Sequence, residues 1–308
     1  MNTGKWYQQQ ERGAGAWRLG VLFWVYRIFG MRFMKFWVRI LATLIGVGAK
    51  SARRFSREYR RILNEYQITH NITPTKFSPA QHIRCFADSL VDKMVAMCDK
   101  KNRIEFVIQD NADWCEFQNL IEKKLGAFLI CSHVGNIGAL AAFPGGQGVK
   151  IHAFQQAGQT GVFYRFISAH SVRPNTIIHA VEDMNVGTAG EMFDSLNNGE
   201  LVMMAGDRVS AATPGKIIRV QILGHDCELP MGVFRFARAT SHPVFAIAVI
   251  NIAPAKYKIV IKKLDDKNIN QMANGFAEFL ETTTIAAPVQ WFNFYDFFRR
   301  ENLMDLIV

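Results

Sequence analysis

The sequence predicts an α/β protein: a mixed central sheet flanked by helices, preceded by an N-terminal helical region suited to a membrane surface. Three observations carry this. From about residue 103, short apolar runs alternate with segments of helical spacing, the pattern of strands joined by helices. The 308 residues are 49% hydrophobic and include 24 Phe, enough for a full core and too apolar for a disordered chain. The charge is lopsided: residues 1–62 carry 13 Lys/Arg against Glu11 and Glu58, whereas the rest of the chain carries 23 against 24 acids. The two regions divide as 1–102, helical and membrane-associating, and 103–308, the α/β domain.

The N-terminal stretch "AWRLGVLFWVYRIFGMRFMKFWVRILATLIGVGAKSARRFSREYRR" interleaves aromatic residues with Arg18, Arg27, Arg32, Lys35 and Arg39. No uninterrupted apolar run reaches the roughly 18–20 residues that span a bilayer, and arginines interrupt any signal-peptide reading. Basic helices bearing Trp24, Phe33, Phe36 and Trp37 suit the interface of an anionic leaflet, where each Lys or Arg contributes about 1 kcal/mol. The alternatives are a core helix pair with a solvated basic rim, or a nucleic-acid surface. No recognised nucleic-acid module accompanies the charge.

Residues 51–100 then show helical spacing in two pieces, separated by a loop holding Pro74 and Pro79. "AFLICSH" (127–133), "VKIHAF" (149–154), "NTIIHA" (175–180) and "LVMMAGD" (201–207) read as buried strands. "GNIGALAAF" and "GTAGEMFDSLNNG" between them read as helices, the second ended by Gly199. "KIIRVQIL", "PVFAIAVIN" and "KYKIVIKKL" add three strands, with a short helix "GVFRFARAT" before the second. A closing helix "QMANGFAEFLETTTIAA" leads into the aromatic tail "PVQWFNFYDFF".

In such sheets ligands collect beyond the carboxyl ends of the strands, where His133 and Asp207 both fall. A histidine there, followed by Gly135 and a helix start, can take a proton from an attacking hydroxyl while N–H groups of the next helix hold an oxyanion. The plainer reading is a hydrogen-bonded structural histidine. The other seven histidines fit no metal-ligand spacing. Five scattered cysteines without CxxC spacing indicate reduced thiols of a cytoplasmic compartment.

"SHVGNIGAL" resembles the first block of the lysophospholipid/glycerolipid acyltransferase superfamily, in its lipid A biosynthesis (lauroyl/myristoyl) branch. "AGDRVSAATPGKIIRVQILGHDCELPMGVFRFA" resembles the later block, "APVQWFNFYDFF" the C-terminal tail, and "ERGAGAWRLGVLFWVYRIFG" the N-terminal anchor. The resemblance implies transfer of an acyl group from acyl carrier protein or coenzyme A to a hydroxyl of a lipid-like acceptor, without any bound cofactor. It places the protein peripherally or monotopically on the cytoplasmic face of a bacterial inner membrane, with acyl carrier protein, a membrane lipid acceptor and the anionic surface as partners. His133 would be the general base. Gly135 and Asn136 would form the loop and oxyanion site, and Arg165, Asp207 and Arg208 would bind substrate. Arg165 also reads as a surface residue of an amphipathic helix.

In one position the sequence departs from the branch. The fifth residue after His133, where the branch carries Glu or Asp, is Gly138. Glu182, Asp183 and Asp207, each at or just beyond an expected strand end, are the candidates to replace that acid; the alternatives are that His133 works alone, or that the chain is a silent relative that binds lipid or acyl carrier. A thioesterase, with His133 activating water, is a further alternative.

Overall fold

The structure, a computed structural model, describes residues 16–298 except 102–103, 144–147, 156–162, 164–165, 168, 174, 210–215 and 266. Strands β1 (Glu105–Ile108), β2 (Ala127–Gly135), β3 (Ile151–Gln155), β4 (Thr176–Ala180), β5 (Leu201–Ala205), β8 (Val244–Ala253) and β9 (Lys256–Lys263) form one sheet in the order β1-β9-β8-β2-β5-β3-β4. Every neighbouring pair is parallel except β8 and β9, which are antiparallel. The sheet is therefore mixed, as the sequence predicts. Strands β6 (Ile217–Ile222) and β7 (His225–Pro230) form a separate hairpin.

The apolar runs are continuous because the central strands are covered on both faces. Phe128 and Ile130 of β2 point into one core with Ala246 and Ala248 of β8 and Phe276 of the closing helix. The intervening Leu129 and Cys131 point into a second core with Trp114, Phe117, Phe245 and Ile247. The flanking helices are α4 (Ala112–Glu122), α5 (Val186–Asn197), α6 (Met231–Thr240) and α7 (Ile269–Ala286). Side chains cap their free N–H groups where the sequence allows: Asn111 accepts from Trp114, Asn185 from Thr188, and Asn268 from Asn270 and Gln271.

Ahead of the sheet come α1 (Ala16–Gly48), broken at Gly30 with φ +82°, α2 (Lys50–Thr69) and α3 (Pro79–Cys98). Ser78 and Gln81 close a reciprocal capping box at the start of α3. Tyr59, Ile62 and Leu63 of α2 lie in the same core as β2 and β8. Helix α1 binds α3 through Lys35 to Asp92 at 2.6 Å and Arg39 to Asp88 at 2.7 Å, with Met34 buried between. Its other side leaves Trp24, Phe29, Phe33, Phe36, Trp37 and Leu44 exposed. No helix among the described residues is long and apolar enough to cross a membrane.

The expected helix over 135–143 is instead a six-residue 3-10 turn, Ile137–Ala142. It starts two residues after left-handed Gly135, with Asn136 between, and stops at Phe143, the residue before Pro144, where an α conformation is disfavoured.

Candidate active site

His133 is the seventh of the nine residues of β2 and sits in an irregularity of that strand. Cys131 pairs with Ile247 and Gly135 with Val249, so three residues of β2 lie against one of β8. Bulges of this kind re-aim side chains next to active sites. Gly135 completes the bend: its φ is +73°, and a Cβ there would stand 2.1 Å from the Val249 carbonyl oxygen. Only glycine fits.

The bend brings His133 onto Asp207, two residues beyond β5. The ring Nδ1 lies 2.7 Å from Oδ1 of Asp207, and the His133 backbone N–H donates to Oδ2 at 2.8 Å. A carboxylate only accepts, so Nδ1 carries the proton and Nε2 keeps its lone pair. Asp207 is 1% exposed, whereas the His133 side chain is 34% exposed, so the carboxylate is sealed behind a ring that still meets the crevice. Burial lowers the His133 pKa from its ordinary 6.5, with Arg208 adding to the effect and Asp207 opposing it. For Asp207, burial pushes upward, but the pull of His133 and Arg208 wins and the carboxyl falls below its ordinary value. At neutral pH the pair is a neutral imidazole against a carboxylate.

The aromatic tail forms the wall behind this pair. Phe292 N–H donates to the His133 carbonyl at 3.0 Å, and Val134 bridges to Trp291. Trp291 Nε1 donates to Asp207 Oδ2 at 3.4 Å, and the Tyr295 hydroxyl to the Asp207 carbonyl at 2.8 Å. Gln290 holds both the N–H and the carbonyl of Asn251 in β8, fixing where the tail starts. Buried His82 donates through Nε2 to the Trp291 carbonyl and accepts at Nδ1 from Ser56; burial pushes its pKa down to about 4, so it is neutral. The sequence offers "QWFNFYDFF" as a conspicuous aromatic run, but nothing in it indicates that Trp291 and Tyr295 reach Asp207.

The other candidates fall out unevenly. Asp207, expected on the cleft wall, stands behind His133 and is the one of the three candidate acids that meets it. Glu182 and Asp183 are exposed on a 3-10 turn after β4. Arg208 turns toward the tail, donating to the Phe292 carbonyl at 2.9 Å with its guanidinium 5.1 Å from the Tyr295 ring centre. The Asn136 backbone N–H, expected to face an oxyanion, is taken by the Val249 carbonyl at 2.7 Å, because Gly135 presses the chain against β8. The Asn136 side chain is buried and donates to the Ser89 carbonyl of α3 at 2.9 Å. Arg165 lies outside the described residues. An apolar cavity of about 460 Å³, lined by Trp114, Phe117, Leu129, Leu140, Ile151 and Ile247 among others, lies under the 3-10 turn and does not include the His133–Asp207 pair. Among the described residues no group of His, Cys, Asp and Glu is placed to hold a metal ion.

A neutral histidine at a strand end, oriented by a sealed carboxylate and open at Nε2, is the arrangement of a general base on an α/β scaffold. The chain matches the sequence model of the bacterial lipid A biosynthesis acyltransferases over residues 4–300 and belongs to that family. No curated protein sequence matches it.

Proposed function

We propose that the protein transfers an acyl group from a thioester donor, acyl carrier protein or coenzyme A, to a hydroxyl of a lipid acceptor at an anionic membrane surface. The observation that carries this reading is the 2.7 Å contact between His133 and Asp207, which supplies the orienting carboxylate that Gly138 lacks. Nε2 of His133 takes the proton of the acceptor hydroxyl as its oxygen attacks the thioester carbonyl. The tetrahedral intermediate collapses with loss of the C–S bond, and the imidazolium returns the proton to the departing sulfur. Asp207 stabilises the imidazolium between these steps. The apolar cavity beneath the 3-10 turn is the candidate site for the acyl chain, since Leu140 on its wall belongs to the segment that directly follows the His133 bend.

Exposed aromatic residues on α1, with arginines interleaved, support peripheral binding to the bilayer. An acidic carrier protein would meet the same positive end of the molecule. The test is transfer of a labelled acyl group into lipid on anionic vesicles, with carrier-protein and coenzyme A thioesters as donors at increasing salt. Transfer from acyl carrier protein that falls steeply with salt is the expected result. Salt-insensitive transfer contradicts electrostatic docking, and hydrolysis without transfer favours a thioesterase.

A further inference from the structure

Gly138 has a counterpart on α3. A Cβ built at Gly138 would lie 2.6 Å from Cγ of Lys93, 2.7 Å from Cδ and 2.9 Å from Cε, so the lysine stem occupies the space a side chain at 138 would enter. The glycine is what lets Lys93 cross there. Its ammonium reaches the carboxyl end of β3, where Gln155 Oε1 is a long 3.5 Å away, and the Phe163 ring centre is 6.0 Å from Nζ. Ligands of an α/β sheet collect at this end of the strands.

No carboxylate pairs with Lys93 among the described residues. The nearby anions are committed elsewhere: Asp92, its neighbour on α3, holds Lys35 and Tyr257, and Asp207 holds His133. The Cys131 thiol beside it is pushed by burial up to about 12 and is neutral. Burial drops Lys93 to about 8, the direction expected of a cation that lacks an anionic partner. A half-buried, uncompensated charge is costly to a folded protein, and a ligand that brings the missing anion recovers that cost on binding.

We propose that Lys93, whose stem fills the space beside Gly138, is an anion subsite of the active-site crevice that binds a phosphate group of a substrate. It rests on the acyl-transfer reading only for which substrate brings the phosphate: the phosphopantetheine arm of the donor or the headgroup of the lipid acceptor. The ammonium contributes a charge-assisted hydrogen bond to a phosphate oxygen.

The test uses the full-length protein in detergent micelles and reads the acetylation rate of Lys93 by peptide mass spectrometry, with exposed Lys216 as internal reference. Four probes form two matched pairs: 4′-phosphopantetheine against pantetheine, and dodecyl phosphate against dodecanol. The expected result is that a phosphate-bearing probe slows acetylation of Lys93 roughly tenfold, with Lys216 unchanged and the uncharged partner without effect. Protection by the first pair assigns the donor, and by the second the acceptor. Equal rates with both members of both pairs overturn the proposal. Lys93→Met and Lys93→Arg give a second readout: Met should raise KM for the phosphate-bearing substrate roughly tenfold with kcat retained, and Arg should restore it. An equal loss in both variants overturns a charge role. Because acetylation needs no turnover, phosphate protection in a protein that transfers no acyl group sinks the acyl-transfer reading alone. Transfer without protection sinks the subsite alone.

Discussion

Asp207→Asn should leave the protein folded and reduce acyl transfer by about 10⁴, the loss seen when the orienting carboxylate of a comparable histidine is replaced by an amide. The amide can still fill the sealed space behind the ring. It can, however, present N–H toward Nδ1 and so favour the tautomer with the proton on Nε2, which is the wrong nitrogen for a base. The charge that stabilises the imidazolium is also lost. The native rate should rise with pH as His133 loses its proton, and that acid limb should lie below pH 6.5 because the His133 pKa is lowered, burial being the main cause. Steady-state transfer at saturating donor, with circular dichroism to verify folding, checks the first expectation; a fall of less than tenfold would mean that the pair does not work as one unit. Gly138→Glu should not raise the rate. Nδ1 already has its carboxylate, and a side chain at 138 must displace the Lys93 stem.

Trp291→Ala should destabilise the fold by about 3–5 kcal/mol, the range for truncating a large buried aromatic. Trp291 is among the largest fully buried side chains, with Tyr59 at 5.3 Å, Phe297 at 4.9 Å and Phe298 at 5.7 Å between ring centres. Truncation opens a cavity between α2, the tail and the sheet. It also takes from Asp207 one of the N–H donors that hold its carboxylate. Urea unfolding of the native and variant proteins measures the difference. A midpoint shift worth less than about 1 kcal/mol would show that the tail is an appendage and not part of the core.

Seven of the nine described strands were legible because most are buried on both faces and leave unbroken apolar runs, as in "AFLIC" and "FAIAV"; the edge strand β1, the hairpin strand β7 with its alternating charges, and helix α4 were not read. Their ends were legible to within a residue or two. The strand irregularity at His133 was not, since a register shift depends on β8, more than a hundred residues away in sequence. The same holds for Asp207. Its residue type and its place at a strand end marked it as a candidate, but only the adjacency of β2 and β5 distinguishes an orienting acid from a cleft residue. Residues 135–143 read as a helix because their composition permits one, whereas left-handed Gly135 at their start and Pro144 after them confine the helical part to a short 3-10 turn over 137–142. Lys93 gave no signal at all. Its meaning depends on Gly138, forty-five positions away on a different element, and a lysine on an amphipathic helix ordinarily points to water.

The measurement that tests the central claim most directly is single-turnover transfer of a labelled acyl group from acyl carrier protein into lipid, comparing the native protein with His133→Ala. The account predicts transfer by the native protein and its loss by at least about 10³ in the variant. Equal transfer by both proteins would contradict His133 as the base.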